Sequence, residues 1–165
     1  MIESIGKLIE TLREELKNYG EMLALLDRQQ EYLLTRAANE VSQSISLVKT
    51  QGTAIQEARQ QREKGRRAVA QAAGQPENAS FADLLPLLPV NYQPLLKALV
   101  DENNELLSRV RRRARQNHMM LKRSVELMQQ VLHSLCLSSR IPICNGQGRL
   151  PARLRAAQPL HEEIN

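Results

Sequence analysis

Apolar residues recur every three or four positions through the first part of the chain. The stripe consists of Ile5, Leu8, Ile9, Leu12, Leu16, Tyr19, Leu23, Leu26, Leu33, Ala37, Val41, Ile45, Val48 and Ile55. This spacing is typical of one face of an amphipathic helix, and it is close to a heptad repeat. It predicts a long helix over about residues 2–72.

A second stripe with the same spacing follows in the other half of the chain. It consists of Leu96, Val100, Leu107, Val110, Ala114, Leu121, Val125, Met128, Val131, Leu132 and Leu135. This stripe predicts a second long helix over about residues 92–138. Asn103 and Asn117 fall within it. We interpret Asn117 as a residue that fixes the helix register, because a buried amide finds its partner in only one alignment.

The prolines delimit these helices. All seven lie either between residues 76 and 94 or after residue 141, and proline is the strongest helix breaker. Residues 74–91 therefore form a connector, which includes a short helix capped by Ser80 and Asp83. The domain prediction is a helical coiled-coil domain over residues 1–141 and a flexible tail over 142–165.

The two predicted helices differ in length. At a rise of about 1.5 Å per residue the first would extend about 105 Å and the second about 70 Å. A simple hairpin would therefore leave part of the N-terminal stripe uncovered. A break near Gly52 or Gly65, dimerisation, or a bound partner would each cover it. The predicted fold class is all-α: a long antiparallel helical hairpin or a three-helix coiled-coil bundle, with a flexible C-terminal tail.

Composition agrees with a helical protein of 165 residues. Only 2% of the residues are aromatic and there is no tryptophan, whereas sheets are normally rich in aromatic and β-branched residues. No stretch approaches the roughly 20 apolar residues of a membrane span, and the N-terminus lacks the features of a signal peptide. We therefore expect a cytoplasmic protein in which Cys136 and Cys144 stay reduced.

Signals for an enzyme are weak. The three histidines share no metal-ligand spacing, and the best pair, His133 and Cys136, supplies two ligands where a structural zinc site needs four. The segment Asn145-Gly-Gln-Gly148 does not resemble a phosphate-binding loop. We therefore expect no enzymatic activity, no cofactor, no metal and no small-molecule substrate.

The positive charge of the chain is local. Residues 1–50 contain eight acids and six bases, whereas residues 51–165 contain ten acids and seventeen bases. The strongest cluster is the basic run Arg109, Arg111, Arg112, Arg113 and Arg115. A basic helix can enter a DNA groove, but the stripe continues through this run at Val110 and Ala114. Glu102 and Glu105 are also close enough to pair with it. We favour a solvated face available for electrostatic docking over a nucleic-acid site.

Some apolar residues of the second helix lie off its stripe. If Leu121 and Val125 face the core, Met119, Met120 and Leu127 point towards solvent in an isolated hairpin. Methionine is common on surfaces that accept helical partners. A third helix of the same chain could equally cover these residues, and the sequence leaves both interpretations open.

Three stretches resemble the FlgN-type flagellar export chaperones, which serve the hook–filament junction proteins. The first is Leu25–Arg36, with its two leucine pairs around a glutamate, followed by Lys49. The second is Glu102–Asn117, where an asparagine follows a basic run, and the third is the tail motif Ile143–Pro151. The family commonly has tyrosine where this chain has Cys144. The resemblance covers most of residues 8–151.

The resemblance implies a cytoplasmic chaperone for flagellar type III export. Its clients would be the C-terminal helices of the first and third hook-associated proteins, which it would keep from assembling early and deliver to the flagellar export apparatus. We predict the client surface on the C-terminal half of the second long helix: Met119, Met120, Leu121, Val125, Leu127, Met128, Leu132 and Leu135. Two alternatives are a coiled-coil adaptor that self-associates through the N-terminal stripe and, less favoured, a nucleic-acid-binding helical protein.

Overall fold

Four α-helices make up most of the computed structural model, which describes residues 1–138 and the side chains of residues 1–135. In chain order they are α1 (Ile2–Leu34), α2 (Ala38–Ala72), α3 (Phe81–Leu84), which continues into a 3-10 turn (Leu85–Leu87), and α4 (Gln93–Ser138). The described residues contain no β-strand, so the all-α prediction is confirmed.

Contacts divide the chain into two units, Met1–Val125 and Glu126–Asn165. The first contains α1, α2, α3 and most of α4, and the second begins with the last turns of α4. Three predictions lie outside the described residues: the flexible tail over 142–165, the motif Ile143–Pro151, and the redox state of Cys136 and Cys144.

The long helix predicted over residues 2–72 is instead two antiparallel helices. The chain reverses at Thr35–Ala37, where Arg36 has a left-handed φ of 56° and Ala37 N–H donates to Tyr32 O at 3.0 Å. This hydrogen bond is typical of a Schellman helix end. The break predicted near Gly52 or Gly65 is wrong, because both glycines lie within α2. The turn contains neither glycine nor proline, so local sequence signals did not identify it.

Gly65 allows α1 and α2 to approach closely. A Cβ atom at this position would lie 3.3 Å from Leu8 Cδ1 and 3.4 Å from Leu8 Cα, whereas a Cβ at Gly52 would meet nothing within 4 Å. The small residue at position 65 therefore serves helix packing rather than a helix break.

Two apolar clusters form the core of the first unit, in which α1, α2 and α4 make a three-helix bundle. One cluster joins the start of α1 to the end of α2, to α3 and to the start of α4: Ile5, Leu8, Ile9, Leu12, Val69, Ala70, Ala79, Leu84, Leu88, Leu96 and Leu99. The other contains Tyr19, Met22, Leu26, Ile55 and Val110. The first part of the N-terminal stripe, from Ile5 to Leu26, is thus covered within one chain, whereas Ile45 further along the stripe is 49% exposed.

A buried carboxylate lies between the two clusters. Glu15 is completely buried, and its Oε1 accepts a hydrogen bond of 2.7 Å from the hydroxyl of Tyr19. Arg62 Nη1 lies 3.3 Å from Glu15 Oε2. Burial and the bond to Glu15 raise the pKa of Tyr19 to about 12. A buried carboxylate is tolerable only when it is paired. The ion pair between Glu15 and Arg62 therefore links α1 to α2 at one position.

Two buried asparagines set the register between α1 and α4. Asn103 Nδ2 donates to Leu12 O at 3.1 Å, and Asn117 Nδ2 donates to Leu26 O at 2.7 Å. Both bonds join residues 91 positions apart, so the two helices run parallel with a constant offset. The amide oxygens of both asparagines have no hydrogen-bond partner among the described residues. Each unpartnered oxygen lowers the stability of the fold. This is expected of buried asparagines, which specify the alignment of helices at a cost in stability.

Asn117 also belongs to a chain of hydrogen bonds that crosses all three long helices. It donates to Gln29 Oε1 at 3.0 Å, Gln29 Nε2 donates to Ser44 Oγ at 3.1 Å, and Ser44 Oγ donates to Val41 O at 2.7 Å. Sequence analysis anticipated a register role for Asn117 but not its partners, because Gln29 and Ser44 lie on other helices.

Arg66 holds the connector against α2. Its guanidinium donates to Glu77 O at 2.9 Å, to Ala79 O and to Glu63 Oε1 at 2.5 Å. The hydrogen bonds that Glu63 accepts from Arg66 and from Arg67 lower the pKa of its carboxyl group to about 2. The connector then enters α3 through the predicted capping box, in which Ser80 N–H donates to Asp83 Oδ2 at 2.9 Å. The capping prediction is therefore confirmed.

Two alanine substitutions in α2 should have different effects. Gly52→Ala should raise the free energy of unfolding by about 1 kcal/mol, because alanine is the better helix former and the site is open. Gly65→Ala should lack this gain, because its Cβ would press on the buried Leu8. Urea unfolding of both variants tests the difference, and equal stabilisation would contradict the close approach of α1 at Gly65.

Asn117→Asp should destabilise the bundle by about 3 kcal/mol at neutral pH, because a carboxylate cannot donate to Leu26 O or Gln29 and would be buried. Gln116→Glu makes the same amide-to-acid change at the neighbouring exposed position and is the control. Thermal and urea unfolding at several pH values provide the measurement. Equal stabilities of the two variants would mean that Asn117 does not hold the register.

The pair of Glu63 and Arg66 should make stability fall in acid. Because the pKa of Glu63 is about 2 in the folded chain and 4.5 is the ordinary value, its contribution is present above about pH 4.5 and is lost as the pH falls towards 2. Glu63→Gln should therefore be less stable than the parent at neutral pH, with a difference that shrinks over this interval. Glu57→Gln, at an exposed residue of the same helix, should show no such change.

Candidate protein-binding surface

One side of α4 packs into the bundle at a seven-residue spacing. Leu96, Asn103, Val110 and Asn117 have exposed fractions of 1%, 4%, 8% and 1%. Four half-buried residues each follow one of these positions by four residues: Val100, Leu107, Ala114 and Leu121. We call this the seam of α4. Its spacing is that of the a and d positions of a coiled coil, so the second predicted stripe is correct for this part of the helix.

The end of α1 coincides with the end of the first unit. With an offset of 91, the last residue of α1, Leu34, is level with Val125, and Val125 is 53% exposed.

The apolar pattern nevertheless continues through the described part of the second unit. Counting on by sevens from Asn117 gives Ser124 and Val131, and the intermediate positions are Met128 and Leu135. The apolar residues of this segment, Leu127, Met128, Val131, Leu132 and Leu135, are between 57% and 64% exposed. We call these five residues the terminal stripe. Large apolar side chains concentrated on one helix mark an interaction surface more often than isolated ones do.

The side of this segment opposite the terminal stripe is polar. Glu126, Gln129, Gln130 and His133 line a shallow depression there. The segment is therefore amphipathic, with glutamines and charged groups opposite the terminal stripe. An amphipathic helix with an exposed apolar side can bind another helix.

The predicted client residues fall into separate groups. Leu127, Met128, Leu132 and Leu135 belong to the terminal stripe, and Val131 is a residue that the predicted site omitted. Its position three residues after Met128 was a signal that could have identified it. Leu121 is half-buried. Met119 is 64% exposed, as the sequence indicated.

Met120 does not point freely to solvent. It is half-buried, and its Sδ lies 3.9 Å from Gln30 Nε2 of α1. The expectation of an exposed Met120 assumed an isolated hairpin. In the three-helix bundle α1 covers this side chain.

The basic run of α4 also divides into two groups. Arg113 points inward, with its Nε 2.7 Å from Asp27 Oδ1 and a hydrogen bond to Gln30 Oε1. Arg109, Arg111, Arg112 and Arg115 are exposed and form no ion pair with the described residues. The expected pairing of Glu102 or Glu105 with Arg109 and its neighbours is therefore not formed.

Candidate chemistry is sparse over the described residues. No group of three His, Cys, Asp or Glu side chains there could hold a metal ion. A second depression lies along α2 and is lined by Gln56, Arg59, Gln60, Glu63, Lys64 and Arg67. None of the helices described here is long and apolar enough to cross a membrane.

An all-α bundle whose longest helix carries an uncovered apolar stripe is typical of proteins that bind helical partners. The sequence model of the FlgN protein family matches residues 1–136. The chain therefore belongs to the FlgN family of flagellar export chaperones, and the resemblance noted from the sequence is confirmed. Comparisons with curated proteins and with solved structures gave no significant match.

Proposed function

We propose that this chaperone acts in the cytoplasm and binds the C-terminal helices of the first and third hook-associated proteins. It keeps these clients from assembling early and delivers them to the flagellar export apparatus. The observation that carries the proposal is the terminal stripe, Leu127, Met128, Val131, Leu132 and Leu135, in which large apolar side chains are more than half exposed at coiled-coil spacing. A client helix would take the place that α1 and α2 occupy along the buried seam.

The size of this surface suits a reversible complex. Full burial of a leucine, valine or methionine side chain contributes about 1.5 to 3 kcal/mol. The five side chains are already partly buried, so covering them completely supplies about 5 to 9 kcal/mol. The loss of translational and side-chain freedom on association costs an amount of similar order. The difference between these two free energies is small, which favours a client that is held while it must stay unassembled and can still be released.

The terminal stripe is the centre of the proposed client site. Leu121 and Val125, which also belonged to the predicted site, extend the seam pattern towards it along the sequence. Met119 is two residues after Asn117, about 200° around the helix at 3.6 residues per turn. We therefore assign Met119 to a different surface of α4, on the side opposite Asn117.

Introducing charge into the terminal stripe should abolish client binding. Met128→Glu combined with Leu132→Glu should weaken binding of the C-terminal segment of the first hook-associated protein by more than about 100-fold, because two carboxylates would be buried against an apolar client helix. Titration calorimetry with the full-length chain provides the affinity. Thermal unfolding should change little, because both side chains are exposed.

The matched control is Gln129→Glu combined with Gln130→Glu, which adds the same charge on the polar side of the same helical turn. This variant should retain the parent's affinity. Equal weakening by both variants would indicate a general effect of charge, and unchanged binding by both would place the client elsewhere. A parent chain that binds neither client segment, with each segment shown to be intact, would contradict the proposed clients.

A further inference from the structure

The outer face of α4 between Arg111 and Arg123 is strongly basic. From Arg109 to Arg123 the helix contains seven cations, and no acid occurs between Glu105 and Glu126. At 3.6 residues per turn, Arg112, Arg115, Met119 and Arg123 lie roughly opposite the buried Asn117. We call these four residues and Arg111 the basic face. All five are exposed.

The arginines of the basic face are concentrated on one side of one helix. Some exposed bases of α1 and α2 pair with acids on the same helix, as Lys7 does with Glu3, Arg13 with Glu10 and Arg67 with Glu63. Others, such as Arg28 and Lys49, form no ion pair with the described residues, but they lie singly rather than in a group. Arg111, Arg112 and Arg115 form no ion pair with an acid among the described residues. Four like charges along one helix repel each other, and an external anionic partner would relieve this repulsion.

Met119 gives the basic face an apolar centre. It follows Arg115 by four residues and precedes Arg123 by four, so arginines flank it on both sides of the same helical row. Its side chain is 64% exposed. An apolar centre with a charged rim is typical of protein–protein interfaces, and methionine adapts to the shape of its partner.

The chemistry of the face favours a protein over a nucleic acid. Proteins that bind single strands use aromatic side chains to stack bases, and the basic face contains none. The opposite side of the helix is packed into the bundle at Val110 and Asn117, so α4 cannot enter a groove as an isolated basic helix does.

We propose that the basic face binds an acidic α-helix of another protein, at a site separate from the terminal stripe. The row from Arg112 to Arg123 extends about 17 Å at a rise of 1.5 Å per residue. A helix with carboxylates at spacings of three and four residues, around one apolar residue, matches this row. Arginine and carboxylate form paired hydrogen bonds of well-defined geometry, which gives such a site orientation as well as attraction.

The test uses the full-length chain and a short synthetic helix that carries glutamates at this spacing around a central leucine. Fluorescence anisotropy measures its binding, with the same peptide carrying glutamines as the negative control. Arg112→Gln combined with Arg115→Gln should weaken binding by up to about tenfold, because two exposed charge pairs with the glutamates are lost. Met119→Ser should also weaken it, and added salt should reduce the affinity.

The matched control is Arg28→Gln combined with Lys49→Gln, which removes the same amount of charge from α1 and α2. Both residues are exposed and form no ion pair with the described residues. This variant should bind like the parent. No binding of the glutamate peptide, or equal weakening by both double variants, would overturn the proposal. Tighter binding of a single-stranded RNA that depends on Arg112 and Arg115 would identify a nucleic-acid site instead. A doubled mass of the chain alone, lost with Arg112→Gln and Arg115→Gln, would identify a contact between two copies.

Discussion

Two buried asparagines of α4 hold the bundle in its alignment. The donors at Asn103 and Asn117 both reach carbonyl oxygens of α1 that lie 91 residues earlier in the chain. A purely apolar seam allows helices to slide by a turn at little cost, whereas a displaced asparagine would lose its hydrogen bonds in a dry interior. The amide oxygens of both asparagines find no hydrogen-bond partner among residues 1–135, and a buried polar atom without a partner lowers stability.

The register determines which residues of α4 pack against α1 in the first unit. Because Leu34 ends α1 level with Val125, the seam is packed up to Leu121. A slip of one turn would bury a different set of α4 residues. The hydrogen bonds of Asn117 to Leu26 O and Gln29 lie close to the end of α1, and they hold this alignment there.

One helix thus offers two chemically different surfaces. The terminal stripe is apolar, and in our proposal a client helix covers it. The basic face is dominated by exposed arginines, and in our proposal an acidic helix binds there. Within the basic run, Arg113 points towards α1 and pairs with Asp27, whereas the other arginines of the run are exposed. Different surfaces would allow a chaperone to hold its client and contact another protein by independent interactions.

The sequence by itself determined the helical class, the proline-bounded connector, the capping box at Ser80 and the residues of the seam. Each of these depends on local chemistry or on a repeat that a single helix displays. Only the tertiary structure decided where the first helix reverses, because Arg36 adopts a left-handed turn without a glycine or proline to mark it. It also decided that Gly65 serves close packing, that Glu15 is buried and that α1 covers Met120. A periodic stripe identifies the residues that need cover, but the element that covers them depends on how distant parts of the chain pack together.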